Sequence, residues 1–156
     1  VLQNSLEVEG HNIEIINGSV SGSTSAGGLN IAEWTLSENN IDLMILCLGA
    51  NDMLRGINPK ETKNNLEEII KIAKNKNIKV VIAGMIAPNS YGSVYKKSFD
   101  KIFSDLSKKY KLQLIPFLLE GVAQKPEFNL SDGMHPNDQG TIIIGNTLKK
   151  AILKNL

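Results

Sequence analysis

Leu43-Met44-Ile45-Leu46-Cys47-Leu48 passes without a break into Gly49-Ala50-Asn51-Asp52. The apolar run has no polar face, so it reads as a strand covered on both sides, the pattern of a central strand in a parallel sheet. It is far shorter than the roughly 20 residues of a membrane-spanning helix. A polar Gly-x-Asn-Asp turn after such a strand lies at the end where open α/β sheets take their ligands.

Working outward, Asn58-Pro59-Lys60-Glu61 supplies a cap, a proline at the first helical position and an early acid. Leu66, Ile69, Ile70 and Ala73 then form one helix face. Lys79 to Met85 holds a second buried strand, Val80-Val81-Ile82-Ala83. A loop with Pro88 and Gly92 leads into a helix with Phe99, Ile102, Phe103, Leu106 and Tyr110 on one side. Leu112 to Phe117 reads as a short strand, Glu120 to Lys125 as a turn or short helix, and Asp138 to Leu153 as a closing helix. Upstream, Ile13 to Ile16 alternates and reads as a strand. Asn17 to Gly28 is a Gly/Ser-rich loop feeding a helix through Leu29, Ile31, Ala32 and Leu36, with Ser23 or Thr24 as its cap. Leu2, Leu6 and Gly10 read as a helix tail with a glycine stop. Strands alternating with helices predict an open parallel α/β sheet in a single domain over residues 1–156.

Composition narrows the function. Seventeen Lys and Arg against sixteen Asp and Glu leave a net charge of +1, which excludes a nucleic-acid surface built on bulk charge. With 42% hydrophobic and 21% charged residues the chain can bury a core. No apolar run is long enough for stable membrane insertion. Cys47 is the single cysteine, so an intrachain disulfide is excluded. With only His11 and His135 beside it there is little material for a zinc site, and neither metal nor other cofactor is expected. Cys47 reads as a structural thiol and Trp34 as a packing residue.

Three loops carry residues capable of chemistry. In Asp132-Gly133-Met134-His135-Pro136 the acid stands three residues before the histidine. Its carboxylate can accept the Nδ1–H, fix the tautomer and leave Nε2 as a general base. The alternative is a solvated histidine beside a capping aspartate. In Gly49-Ala50-Asn51-Asp52 the asparagine amide can donate to a developing oxyanion, or simply close an Asx turn. In Asn17 to Thr24, Gly22 lets its backbone N–H approach a ligand closely. The rival there is a phosphate cradle built from Ser21 to Ser25 at a helix start, as in a flavodoxin-like flavin-binding module.

Together these loops resemble the SGNH (GDSL-type) hydrolase family, in its bacterial thioesterase, lysophospholipase and arylesterase branch. Asn-x-x-x-Ser-Gly-x-Thr at 17–24 is similar to the family's second block, Gly-x-Asn-Asp at 49–52 to its third, and Asp-x-x-His-Pro at 132–136 to its last. Tyr91-Gly92, Tyr95 and Phe99 also look like this branch. The resemblance implies a three-layer α/β/α, flavodoxin-like sheet and a serine-type acyl hydrolase of small esters or thioesters. Asp132 and His135 would be the acid and base, and Gly22 and Asn51 the oxyanion donors. Leu54, Pro88 and Tyr91 would wall an acyl pocket, unless they merely pack under loops. A carbohydrate deacetylase of the same family is the near alternative, and a non-catalytic lipid or glycan binder derived from it a further one. Relatives often carry an export signal, so the resemblance leaves a periplasmic or secreted location open, but neither compartment nor oligomeric state is legible in these residues.

The sequence departs from the family in two places. Ser23 stands where this branch usually has an acid. The first block, Gly-Asp-Ser-Leu after a strand, is absent; Asn4-Ser5-Leu6 echoes it without a preceding strand, and Ser5 is rejected as nucleophile. The expectation is therefore an N-terminally truncated domain lacking about twenty residues, including its first strand. That strand would lie between 13–17 and 43–48, leaving them about 9–10 Å apart.

Overall fold

A computed structural model describes residues 1–37 and 40–156. The chain divides into two compact units, Gly18–Phe117 and Val1–Asn17 with Leu118–Leu156.

In the first unit the elements are α2 (Ser25–Thr35), β1 (Leu43–Leu46), α3 (Ala50–Leu54), α4 (Pro59–Asn75), β2 (Lys79–Ala83), α5 (Ser93–Tyr110) and β3 (Gln113–Ile115). The sheet order is β1-β2-β3 and both pairings are parallel, with Leu46 opposite Ile82 and Ala83 opposite Ile115. The sequence signals act as expected at the helix starts. Asn58 caps α4, its Oδ1 accepting from Lys60 N at 2.9 Å, with Pro59 in the first turn. Thr24, not Ser23, caps α2. Helices α2, α4 and α5 pack in sequence, α2 on α4 and α4 on α5. Their apolar faces meet the sheet in one core that includes Ala32, Leu46, Leu66, Ile70, Ile82, Phe99 and Leu106.

Among the described residues β1 pairs only with β2, and it is β2 that is covered on both faces, Val80 through Ala83 being buried. Apolarity on both faces of 43–48 was legible, but a strand's place in the order depends on partners that its own residues do not encode. Trp34 is 65% exposed rather than packed.

In the second unit, α1 (Leu2–Val8) packs on α6 (Asp138–Leu153). The glycine stop after α1 is a Schellman closure: Gly10, at φ +83°, donates to Glu7 O at 2.9 Å and His11 N to Leu6 O at 3.0 Å. Lys149 Nζ bridges the helices, donating to Ser5 Oγ at 2.8 Å and Glu9 Oε1 at 2.6 Å. The strand expected over Ile13–Ile16 carries no ladder among the described residues. Instead the side-chain amide of Gln3 stands in for a neighbouring strand, Nε2 donating to Ile13 O at 2.6 Å and Oε1 accepting from Ile15 N at 2.7 Å.

Phe99 is fully buried, with its ring 5.6 Å from that of Phe103 in a T-shaped arrangement. Phe99→Ala is expected to lower the unfolding free energy by about 3–5 kcal/mol in urea denaturation, through lost burial and the cavity left behind. A loss under about 1 kcal/mol would show that this cluster is not what holds the first unit together.

Candidate active site

The Gly-x-Asn-Asp stretch was read as a loop and is a short helix. Gly49, with φ at +116°, turns the chain out of the sheet and caps α3. A Cβ there would sit 3.3 Å from Phe103 Cζ in a backbone region that side chains avoid. The helix puts Asp52 inside and Asn51 on its half-buried side. The Asp52 carboxyl is fully buried: Oδ2 accepts from Ser25 N at 2.7 Å, and Oδ1 accepts from the Ser25 hydroxyl and from Thr62 Oγ1, the latter at 3.0 Å. Asn65 Nδ2 donates to Ser25 Oγ at 3.0 Å. One carboxyl thereby joins the starts of α2 and α4 to α3. It also occupies a donor at the start of α2 that a phosphate cradle would need, which removes support from the flavin-binding alternative.

Two further side chains of this stretch grip the loop before α2. Residues 20–23 form a β-turn closed by Ser23 N donating to Val20 O at 3.1 Å. Gly22 holds its third position at φ +73°, the sign that a type II turn requires. Its N–H belongs to the middle peptide, which takes no part in closing the turn, and finds no acceptor among the described residues. Asn51 Nδ2 donates to Ser23 O at 3.0 Å, which spends one of its two amide hydrogens. Arg55 Nη2 donates to Gly22 O at 3.0 Å. The structure thus places both expected oxyanion donors, Gly22 and Asn51, in one hydrogen-bonded assembly.

The expected acyl-wall residues lie in the same unit. Leu54, on the last turn of α3, is exposed, as is Pro88; Tyr91 is half-buried in a 3-10 turn over Asn89–Tyr91. Tyr91 starts a ladder of rings, 5.5 Å from Tyr95, which is 6.0 Å from Phe99. Tyr95 Oη donates to Ile57 O at 2.9 Å, and burial raises its pKa above the ordinary tyrosine value.

In the other unit, residues 130–135 form a closed loop. Leu130 N donates to His135 O at 2.7 Å, and Gly133 N to Leu130 O at 2.9 Å. The buried Asn129 holds its base, Nδ2 donating to Val122 O and Lys125 O, both at 2.8 Å. Inside the loop Asp132 Oδ1 accepts from Met134 N at 2.8 Å and His135 N at 3.0 Å, and Oδ2 lies 2.6 Å from His135 Nδ1. These bonds, with the His135 backbone N–H the largest influence, then its ring and the Met134 N–H, hold Asp132 down at about 2. An anionic carboxylate facing Nδ1 calls for the proton on that nitrogen, which leaves Nε2 with its lone pair. The imidazole is 70% exposed and the carboxylate 40%.

Ser5 lies within α1, bonded to a lysine that is itself paired with Glu9, which is no setting for an activated nucleophile. Cys47 is solvent-accessible just past the end of β1, not buried as expected; crowding by the atoms around its sulfur still pushes the thiol up to about 11, so it is protonated at neutral pH. Among the described residues no group of three or more His, Cys, Asp or Glu forms a metal-ligand set, and no helix is long and apolar enough to cross a membrane. The sequence reading missed Asp52, Arg55 and Asn129. Arg55 stands four residues after Asn51, a helical spacing that a loop assignment hides.

Residues 1–141 match the GDSL-like lipase/acylhydrolase family. The chain is 35% identical over its whole length to an arylesterase of Vibrio mimicus, covering 78% of that protein. It is 32% identical over 88% of its length to thioesterase 1/protease 1/lysophospholipase L1 of Escherichia coli K12, covering 66% of it. Among solved structures it resembles the esterase EstA of a Pseudoalteromonas species, inhibited by monoethylphosphonate, with a TM-score of 0.93, 30% identity, and 98% of this chain and 84% of that one covered.

Two outcomes follow from this geometry. Asp52→Ala strands the Ser25 amide and the Thr62 hydroxyl in the interior, and urea unfolding is expected to show a loss of about 3 kcal/mol or more; a loss under about 1 kcal/mol would contradict the network's role. The Asp132 carboxylate, depressed from 3.8 to about 2, stabilises the folded loop above the unfolded value, and that contribution fades as pH falls from 3.8 through about 2. Carboxyl NMR titration should give a midpoint near 2, and His135→Ala should raise it only part of the way to 3.8, because the backbone amides remain. A parent midpoint at the ordinary value would contradict the bonded loop.

Proposed function

This chain belongs to the GDSL-like lipase/acylhydrolase family of carboxylic ester hydrolases, and from that membership we propose that it hydrolyses small acyl esters and thioesters through a serine ester. The observation that carries the reading is the Asp132–His135 pair, with the carboxylate against Nδ1 at 2.6 Å. The serine oxygen bonds to the substrate carbonyl carbon as His135 Nε2 takes its proton. Gly22 N–H and the second amide hydrogen of Asn51 receive the oxyanion. When the tetrahedral species collapses, the bond to the alcohol or thiol breaks and His135 returns the proton to that leaving group. Water then attacks the acyl-serine with His135 again as base, releasing the carboxylic acid and the free serine. Asp132 keeps the ring's tautomer and stabilises the imidazolium.

The nucleophile is proposed to lie outside residues 1–156, because no Gly-Asp-Ser occurs in them and Ser5 is held by Lys149. The names of the relatives bring aryl esters, thioesters and lysophospholipids forward as substrates, with Leu54, Pro88 and Tyr91 against the acyl group.

In the intact protein, Asn51→Ala is expected to lower kcat on an aryl ester by about 10²-fold, the usual effect of removing one oxyanion donor. Unchanged kcat would remove Asn51 from the reaction. Residues 1–156 alone should show no acyl-enzyme burst and no labelling by a serine-directed phosphonate; stoichiometric labelling would place the nucleophile among their own serines.

A further inference from the structure

Two donors stabilise an oxyanion only if both point at the same atom. Gly22 N–H sits on the turn before α2, whereas the Asn51 amide sits on α3, so their relative placement is set by whatever ties the turn to the helix. Two side-chain bonds do so: Asn51 Nδ2 to Ser23 O and Arg55 Nη2 to Gly22 O, each 3.0 Å. Asn51 and Arg55 are four residues apart and rise from the same side of α3. They therefore hold two successive carbonyls of the turn, as a two-point clamp holds a bar.

Asp52 fixes Ser25, just past the turn, to α3, and Asn51 holds the Ser23 carbonyl, so without Arg55 the turn is held at its downstream end only and its Gly22 peptide can tilt. That tilt carries the Gly22 N–H out of line with Asn51, and a glycine at this position adds little backbone resistance of its own. Ser23 carries no charge, so the cation of Arg55 reaches the backbone here instead of pairing with a side chain at that position. A guanidinium bonded to a carbonyl is a charge-assisted contact that keeps its directionality at an exposed site.

Resting on the hydrolase reading, we propose that Arg55 is a positioning residue that aligns the Gly22 N–H with the Asn51 amide by holding the Gly22 carbonyl. It touches neither substrate nor reacting atoms; its effect falls on the step in which the oxyanion forms. Misplacing a catalytic group by about 1 Å can cost about 10²-fold in rate, so a partial misalignment is expected to cost about tenfold.

The test uses the intact protein and an aryl ester. Arg55→Ala should lower kcat about tenfold with KM changed less than about twofold, since the contact matters in the transition state and not for ground-state binding. Arg55→Lys, which restores one cationic donor, and added guanidinium ion with Arg55→Ala should each recover part of the loss. The Gly22 and Ser23 amide resonances should shift or broaden in Arg55→Ala while those of α4 stay in place. Arg55 is exposed, so folding is expected to survive; should Arg55→Ala not fold, Arg55→Met, which keeps the stem and removes the donors, gives the same readouts. If kcat stays within about twofold of the parent while Asn51→Ala still loses about 10²-fold, the positioning role is wrong and the hydrolase reading stands. If neither substitution lowers kcat, both fall. A rise in KM with kcat unchanged would make Arg55 a substrate-binding residue and overturn the proposal.

Discussion

The Asp52 carboxyl is wholly buried and bonded at once to the start of α2, through Ser25, and to α4, through Thr62. Leaving such a group without partners would cost several kcal/mol, so the three elements are held together or fail together. Every expected donor in this unit inherits its position from that constraint. Asn51 precedes Asp52 on the same short helix, Arg55 follows it, and the turn holding Gly22 runs straight into the helix whose first amide Asp52 accepts. A five-residue helix has little intrinsic stability. It persists because its one inward polar side chain is saturated with hydrogen bonds.

The Asp132–His135 loop is built on the opposite principle. It is exposed, and its order comes from local bonds: two backbone amides and a ring nitrogen converge on one carboxylate, over a base tied down by the buried Asn129. An exposed hydrogen-bonded pair of this kind contributes little to global stability. Its effect is to fix a tautomer and a ring direction, which is what a general base requires. Each arrangement by itself is compatible with the role proposed for it, fixed donors in the one unit and a solvent-reachable base in the other.

What the sequence made legible follows how local each signal is. The Asp132–His135 pairing is a three-residue relation and is found as expected. Val80 to Ala83 reads as a buried strand and is one. Caps at Asn58 and the glycine stop at Gly10 are equally local. The misreadings involve partners remote in sequence. Ile13 to Ile16 alternates like a strand, but alternation says which side a residue faces and nothing about whether a neighbour exists; the Gln3 amide took that place. The stretch after Gly49 was read as a loop because five residues are too few to show a helical period, and Arg55 escaped notice for the same reason. Spacing alone left open which of several polar loops act together, and the family resemblance is what proposes Gly22, Asn51, Asp132 and His135 as partners.

That Gly22, Asn51 and His135 serve a single reaction is tested most directly by NMR of the intact protein during titration with a p-nitrophenyl alkylphosphonate, which loses p-nitrophenolate as the serine oxygen bonds to phosphorus and leaves an adduct that mimics the tetrahedral intermediate. The Gly22 amide, the Asn51 side-chain amide and the His135 ring resonances should all move in proportion to adduct formed. A saturated adduct that shifts the His135 ring and leaves Gly22 and Asn51 where they were would contradict it.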